Sequence, residues 1–135
     1  MNNKEKYVDG FVLVVPKDKT EEYKKMAEEG RDTWMKFGAL EYYECVGDDL
    51  NQKLPEGMED MENMKHRQFT EMAGARPDED VWFSFIVFES REHRDEVNAK
   101  VMEEMNKKYK DHKDMQMPFD MKRMAYGGFK VAVKG

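Results

Sequence analysis

Four short runs of β-branched and aromatic residues and two longer stretches with apolar residues every three or four positions divide the chain. Residues 7–15 (YVDGFVLVV) read as a strand bounded by Pro16. Val8, Val12 and Val14 fall on one face, and Tyr7, Phe11, Leu13 and Val15 on the other. Both faces are therefore apolar, with Asp9 the exception. Over 20–37 the period changes, and Tyr23, Met26, Ala27, Gly30, Trp34 and Phe37 trace one helical stripe. Asp18 with Glu21 has the form of a capping box, and Gly38 that of a left-handed stop. Residues 40–46 (LEYYECV) predict a second strand, ended by the turn Gly47-Asp48-Asp49. Between 50 and 80 the pattern weakens, and the spacing of Met58, Met61 and Met72 predicts a partial helix over about 58–72.

Residues 81–88 (VWFSFIVF) form the strongest strand, apolar on both faces and so expected to be buried on both. Ser90 can cap a following helix whose stripe is Val97, Val101, Met105 and Tyr109. After a polar crossing over 110–118, residues 123–133 predict a last strand. Gly127-Gly128 within it marks a bulge or a close backbone approach. The order strand, helix, strand, strand, helix, strand is that of a ferredoxin-like βαββαβ unit, an α+β fold. It makes the chain a single domain, 1–135, with a partly helical insertion at about 50–80. A four-stranded antiparallel sheet would carry two helices on one face. Right-handed crossovers are expected to set the first and third strands side by side and parallel at its centre.

Two helices cover one face only. Half of Phe11, Leu13, Val15, Trp82, Ile86, Phe88 and their neighbours would then meet water, a larger apolar area than a monomer exposes without purpose. A second copy packed sheet against sheet, closing a two-fold homodimer over about 800 Å² per subunit, removes that exposure. The other way to cover it is for the 58–72 segment to fold back over the bare face.

Composition narrows the function classes. The 135 residues carry 23 Lys+Arg against 29 Asp+Glu, a net charge of −6. That excludes the basic stripe a nucleic-acid partner requires and disfavours an anionic membrane surface. No apolar run approaches the ~20 residues needed to cross a bilayer. Residues 1–6 lack a signal-like apolar stretch, and the one cysteine, Cys45, precludes an internal disulfide. A cytoplasmic location is the expectation.

Candidate chemistry is sparse. His66, His93 and His112 show no metal-ligand spacing, and no metal or cofactor is expected. Cys45, beside Glu44, Asp48 and Asp49, is expected to be an unreactive buried hydrophobe. Asp48-Asp49 reads as a solvated turn. Met115, Met117, Met121 and Met124 could offer thioethers to copper, but adaptable packing explains the thirteen methionines more simply. Gly127-Gly128 lacks the following helix of a phosphate loop. Asp9, set in an apolar strand, needs a partner, and Arg123 or Lys122 at the start of the antiparallel last strand can supply one. Asp9, Glu44 and Arg123 are thus the candidate polar pocket, and Trp34, Phe37, Tyr42, Trp82, Phe83 and Tyr126 the candidate apolar one.

Turn motifs add a resemblance. Tyr7-Val8-Asp9-Gly10-Phe11-Val12, Phe37-Gly38-Ala39-Leu40, Glu44-Cys45, Arg94-Asp95 with Asn98, Met117-Pro118-Phe119-Asp120 and Tyr126-Gly127-Gly128-Phe129 are similar to the bacterial YbaA-like family of unknown function. Val46 stands where that pattern has Trp, and Met121 where it has Gly. The resemblance implies the dimeric α/β-barrel superfamily, whose members include small monooxygenases, haem-degrading enzymes and stress-response proteins, so fold alone does not choose a function. The expectation is a homodimer that binds a small, largely apolar organic molecule. The alternatives are a cofactor-independent monooxygenase or isomerase using Asp9, Glu44 or Arg123, and a protein-interaction module using the Met-rich 58–72 segment.

Overall fold

A computed structural model describes residues 5–109 and 117–135. Its elements are β1 (Tyr7–Pro16), α1 (Thr20–Lys36), β2 (Glu41–Val46), α2 (Phe69–Ala73), β3 (Glu79–Phe88), α3 (Arg91–Lys108) and β4 (Ala125–Lys130). The strands form one sheet in the order β2-β3-β1-β4, and every neighbouring pair is antiparallel. The expected parallel pairing of β1 with β3 is therefore wrong. The crossover through α1 makes β1 parallel to β2, the strand it leads to; the chain then reverses into β3, which inserts between them.

Alternation along β1 and β3 sorts their side chains as two layers. Tyr7, Asp9, Leu13 and Val15 pair with Phe88, Ile86, Trp82 and Asp80. The apolar members of this set, apart from the half-buried neighbours, are buried in two clusters with Tyr23 and Ala27 of α1 and Val97 and Val101 of α3. Leu13, Val15, Trp82, Ile86 and Phe88 are thus all sheltered by helices, and none belongs to the bare face. That face is made of the intervening residues: Val8, Val12, Phe83, Phe85 and Val87, with Tyr43 and Cys45 from β2 and Phe129 from β4. On it Phe83 is 44%, Tyr43 45% and Phe129 62% exposed.

The expected 58–72 helix reduces to a 3₁₀ turn, Glu62–Met64, and the five-residue α2. Its Lys- and Glu-rich surroundings leave Met58, Met61, Met64, Phe69 and Met72 exposed, without the continuous apolar stripe that sustains a longer helix. α2 packs against β1 and β3 at the end where Val14 and Val81 are buried. The insertion thus covers one end of the open face and leaves the Phe83–Phe129 region bare.

Local signals fared unevenly. Ser90 Oγ accepts from the His93 N–H at 3.1 Å, capping α3 as expected. Asp18 caps nothing, because a 3₁₀ turn over Lys17–Lys19 leads into α1 and takes the place of a side-chain cap. Gly38 has φ +111°, as its stop role requires. β3 starts at Glu79, two residues early, and β4 is confined to Ala125–Lys130. The register of β4 on β1 runs unbroken through Gly127 and Gly128, so no bulge is present. Gly128 instead marks a close approach: a Cβ there would lie 2.5 Å from the Tyr7 hydroxyl and 2.7 Å from Cε2. Gly128→Ala should cost about 1–3 kcal/mol by overpacking, read as a lower urea midpoint with an unchanged slope. Residues 110–116, with His112, Met115 and Gln116, lie outside the described residues.

Candidate functional site

Asp9 is the third residue of β1, on the helix-covered face, 1% exposed. α3 supplies its partners, because Arg94 and Asn98 are one turn apart and flank the buried Val97. Arg94 Nη1 donates to Asp9 Oδ1 at 3.2 Å, and Asn98 Nδ2 donates to Oδ2 at 3.2 Å. Arg94 Nη2 also reaches the Tyr7 hydroxyl at 3.3 Å, and the guanidinium carbon lies 4.8 Å from the centre of that ring. Trp34 Nε1 holds Asn98 Oδ1 at 2.9 Å. A continuous polar chain thus joins α1, α3 and β1: Trp34, Asn98, Asp9, Arg94, Tyr7.

The electrostatics of this centre are unbalanced. Burial pushes the Asp9 carboxyl above its ordinary range, and the Asn98 hydrogen bond and Arg94 charge only partly oppose it. Asp95 lies 3.0 Å from Arg94 Nε, but out of line with the N–H, which is buried without an aligned acceptor. Tyr126, at the β4 margin, packs edge-on to Phe11 with centroids 4.7 Å apart. Burial and the neighbouring Asp9 charge raise its phenol above the usual value.

The three polar candidates do not converge. Asp9 pairs with Arg94 and Asn98, not with Arg123 or Lys122. The expected pairing assumed that a cation at the start of β4 reaches Asp9, yet Asp9 lies opposite Gly128, well along that strand. Glu44 forms a second centre, accepting from Tyr23 at 2.7 Å and from Tyr42 at 2.8 Å. Burial first, and the adjoining carboxylate second, raise both phenols. Arg123 forms a third, donating to Glu79 Oε2 at 2.5 Å and Oε1 at 2.9 Å. This pair borders a groove whose lining includes Lys17, Asp48, Asn51, Arg76 and Glu79.

Arg123 draws the Glu79 carboxyl down to about 2. Its stabilisation is therefore complete above the ordinary carboxylate value and disappears as pH falls from about 4.5 towards about 2. Urea midpoints of the wild type should fall steeply over that interval, and those of Glu79→Gln less so.

The apolar candidates also divide. Trp34, Phe37 and Tyr42 border the cluster around Phe88 and Val97, while Trp82 lies in the neighbouring cluster against Tyr23, centroids 4.8 Å apart. Phe83 is on the opposite face of the sheet. Cys45, expected to be buried, is exposed, because the pleat turns it to the open face beside Phe83. His93 is not a plain surface residue: its Nδ1 accepts from the Glu89 N–H at 3.0 Å and its ring meets Phe88 edge-on. His66 is exposed. Sequence reasoning about chemistry missed Tyr7, Arg94 and Asn98. The available signal was an i, i+4 polar pair beside the Val97–Val101 stripe of α3. Among the described residues, no group of three or more His, Cys, Asp or Glu side chains is placed to hold a metal, and no helix is long and apolar enough to cross a membrane.

Fold and site together define a small α+β protein with one helix-covered antiparallel sheet and a buried carboxylate–guanidinium centre. The chain belongs to the family described as "Protein of unknown function (DUF1428)", which matches residues 6–121. It is 40% identical over 128 residues to "Uncharacterized protein YbaA" of Escherichia coli (strain K12), covering 95% of this chain and 97% of that protein. The same identity and coverage relate it to "Uncharacterized protein YbaA" of Shigella flexneri. The YbaA-like family suggested by the turn motifs is therefore the correct one, and its function is unknown.

Proposed function

We propose that this chain is one subunit of a cytoplasmic homodimer of the ferredoxin-like, dimeric α/β-barrel type, a single domain that binds a small, largely apolar molecule bearing one polar group. The layer between sheet and helices receives the molecule, and no cofactor takes part. Support comes first from the Asp9–Arg94–Asn98–Tyr7 centre: a fully buried carboxylate held in its charged pairing is costly, and apolar replacements would stabilise the same layer more simply. Proteins retain such groups where a site needs them. Phe11, Trp34 and Tyr126 provide an apolar rim beside the centre, the composition of a small-molecule site.

Native mass spectrometry of freshly purified protein tests this reading, followed by thermal shifts with benzoate, cinnamate and indole-3-acetate. The expected result is a copurified small molecule, or a shift with at least one of the three acids, lost in Tyr126→Ala. That ring is half exposed, so its removal spares the fold. Protein that carries nothing and responds to none of the acids would contradict the proposal.

A further inference from the structure

We infer that Met58, Met61 and Met64 form a binding site for one soft monovalent cation, Cu(I), held by three thioether sulfurs in the insertion between β2 and α2. The site is independent of the homodimer and of the ligand layer proposed above. The backbone sets its spacing. The Met58 N–H donates to Pro55 O at 2.9 Å, the Met61 N–H to Met58 O at 3.1 Å and the Met64 N–H to Met61 O at 3.0 Å. Each methionine thus closes a turn, and the second and third turns begin on the methionine before. A turn of this kind holds its first and last Cα atoms within about 7 Å. Successive thioethers therefore start from neighbouring points, and three rotatable bonds let each sulfur swing toward a shared ion.

Packing does not account for these side chains. Met58, Met61 and Met64 are 38%, 41% and 43% exposed, and none of them borders either core cluster. Across 55–68 (PEGMEDMENMKHRQ) they are the only large apolar side chains. No leucine, isoleucine, phenylalanine, tyrosine or tryptophan stands among them to anchor a protein partner. What the three share is sulfur. Charge favours a cation as well, because 56–64 carries Glu56, Glu59, Asp60 and Glu62 and no basic residue. The donor type selects the ion. A thioether has no proton to lose and suits soft Cu(I), whereas Zn(II) takes thiolate, imidazole and carboxylate. The carboxylates between the methionines offset the ion's charge from outside its first shell. His66 is the nearest nitrogen donor in sequence and shares a groove with Glu59 and Lys65.

Cys45 is exposed and would itself take a soft cation, so the test uses the full chain with C45S. Ag(I), a redox-silent ion of the same charge and softness, is titrated into that protein while NMR follows the methionine methyl groups. The expected result is one Ag(I) per chain. The methyl signals of Met58, Met61 and Met64 should shift together, while those of Met102 and Met121, 49% and 50% exposed, stay in place. Changing all three to leucine keeps side-chain volume and should leave circular dichroism unchanged. That variant should bind Ag(I) at least about 10-fold more weakly, a loss usual even for groups outside the first shell. Cu(I) kept reduced by ascorbate should compete for the site, and Zn(II) should not. Equal shifts at every exposed methionine would overturn the inference, as would undiminished affinity in the triple variant. A loss in His66→Ala as large as in the triple variant, or a failure of Cu(I) to compete, would overturn it too.

Discussion

Arg94→Ala is expected to lower the folding free energy by about 3–5 kcal/mol, because it leaves the Asp9 carboxyl buried without its cation. The melting temperature should fall by about 10 °C or more. Arg94 also braces the Tyr7 hydroxyl, which rests against Gly128, so part of the loss should appear as loosening of the β1–β4 pairing. The double variant Asp9→Leu with Arg94→Met should recover most of the stability, since replacing both members of a buried pair by apolar groups is near neutral. That recovery, measured as a coupling energy in a double-mutant cycle, separates a lost charge partner from lost packing. The pH dependence has a definite sign. With the folded-state pKa of Asp9 raised by burial, the native protein holds this proton more tightly than the unfolded chain. The contribution is full below the ordinary carboxylate value and is lost as pH rises through the raised one. Asp9→Asn should remove that slope. A protein whose Arg94→Ala variant melts within a degree or two of wild type would show that the pair carries little of the fold.

The second large effect concerns association. In the proposed homodimer, Phe83→Asp combined with Phe85→Asp should weaken dimerisation by about 100-fold or more, since each would place a carboxylate between two facing apolar sheets. Helical and strand circular dichroism should be retained, because Phe83 is already 44% exposed. Trp82→Asp, one residue along but facing α1, should unfold the chain instead. This contrast between adjacent positions follows from the pleat alone. Equal loss of fold in both variants would mean that the Phe83 face is part of the subunit's own core.

The sequence made the strands and the two long helices readable because their apolar periods differ and run for two or more turns or pleats. Tyr7, Leu13 and Val15 against Val8 and Val12 already separated the two faces. Which face the helices take was not readable: β1 and β3 are apolar on both, and only the position of Asp9 opposite Arg94 and Asn98 distinguishes them. The insertion was over-read because Met58, Met61, Met64 and Met72 recur at helical spacing, yet with no surface beneath them most of that segment lacks the packing that sustains helix. Glu79 was left out of β3 because its charge reads as a loop, and its neutralisation by Arg123, 44 residues away, is a tertiary fact. The candidate site was legible as a residue and not as a constellation. Asp9 stood out as a charge in an apolar strand, but its partner had to come from whichever element packed over it, and strand adjacency pointed to Arg123 when the helix supplied Arg94. Glu44 was found without its two tyrosines for the same reason.

The proposed homodimer requires the apolar outer sheet face to be covered by another copy of the chain. Sedimentation equilibrium of the wild-type protein from about 0.1 to 100 μM, a range set by the affinities usual for interfaces of this size, measures that directly. The predicted result is twice the mass of one chain across most of the range. A single-chain mass up to the highest concentration, in protein that stays in solution, would contradict it.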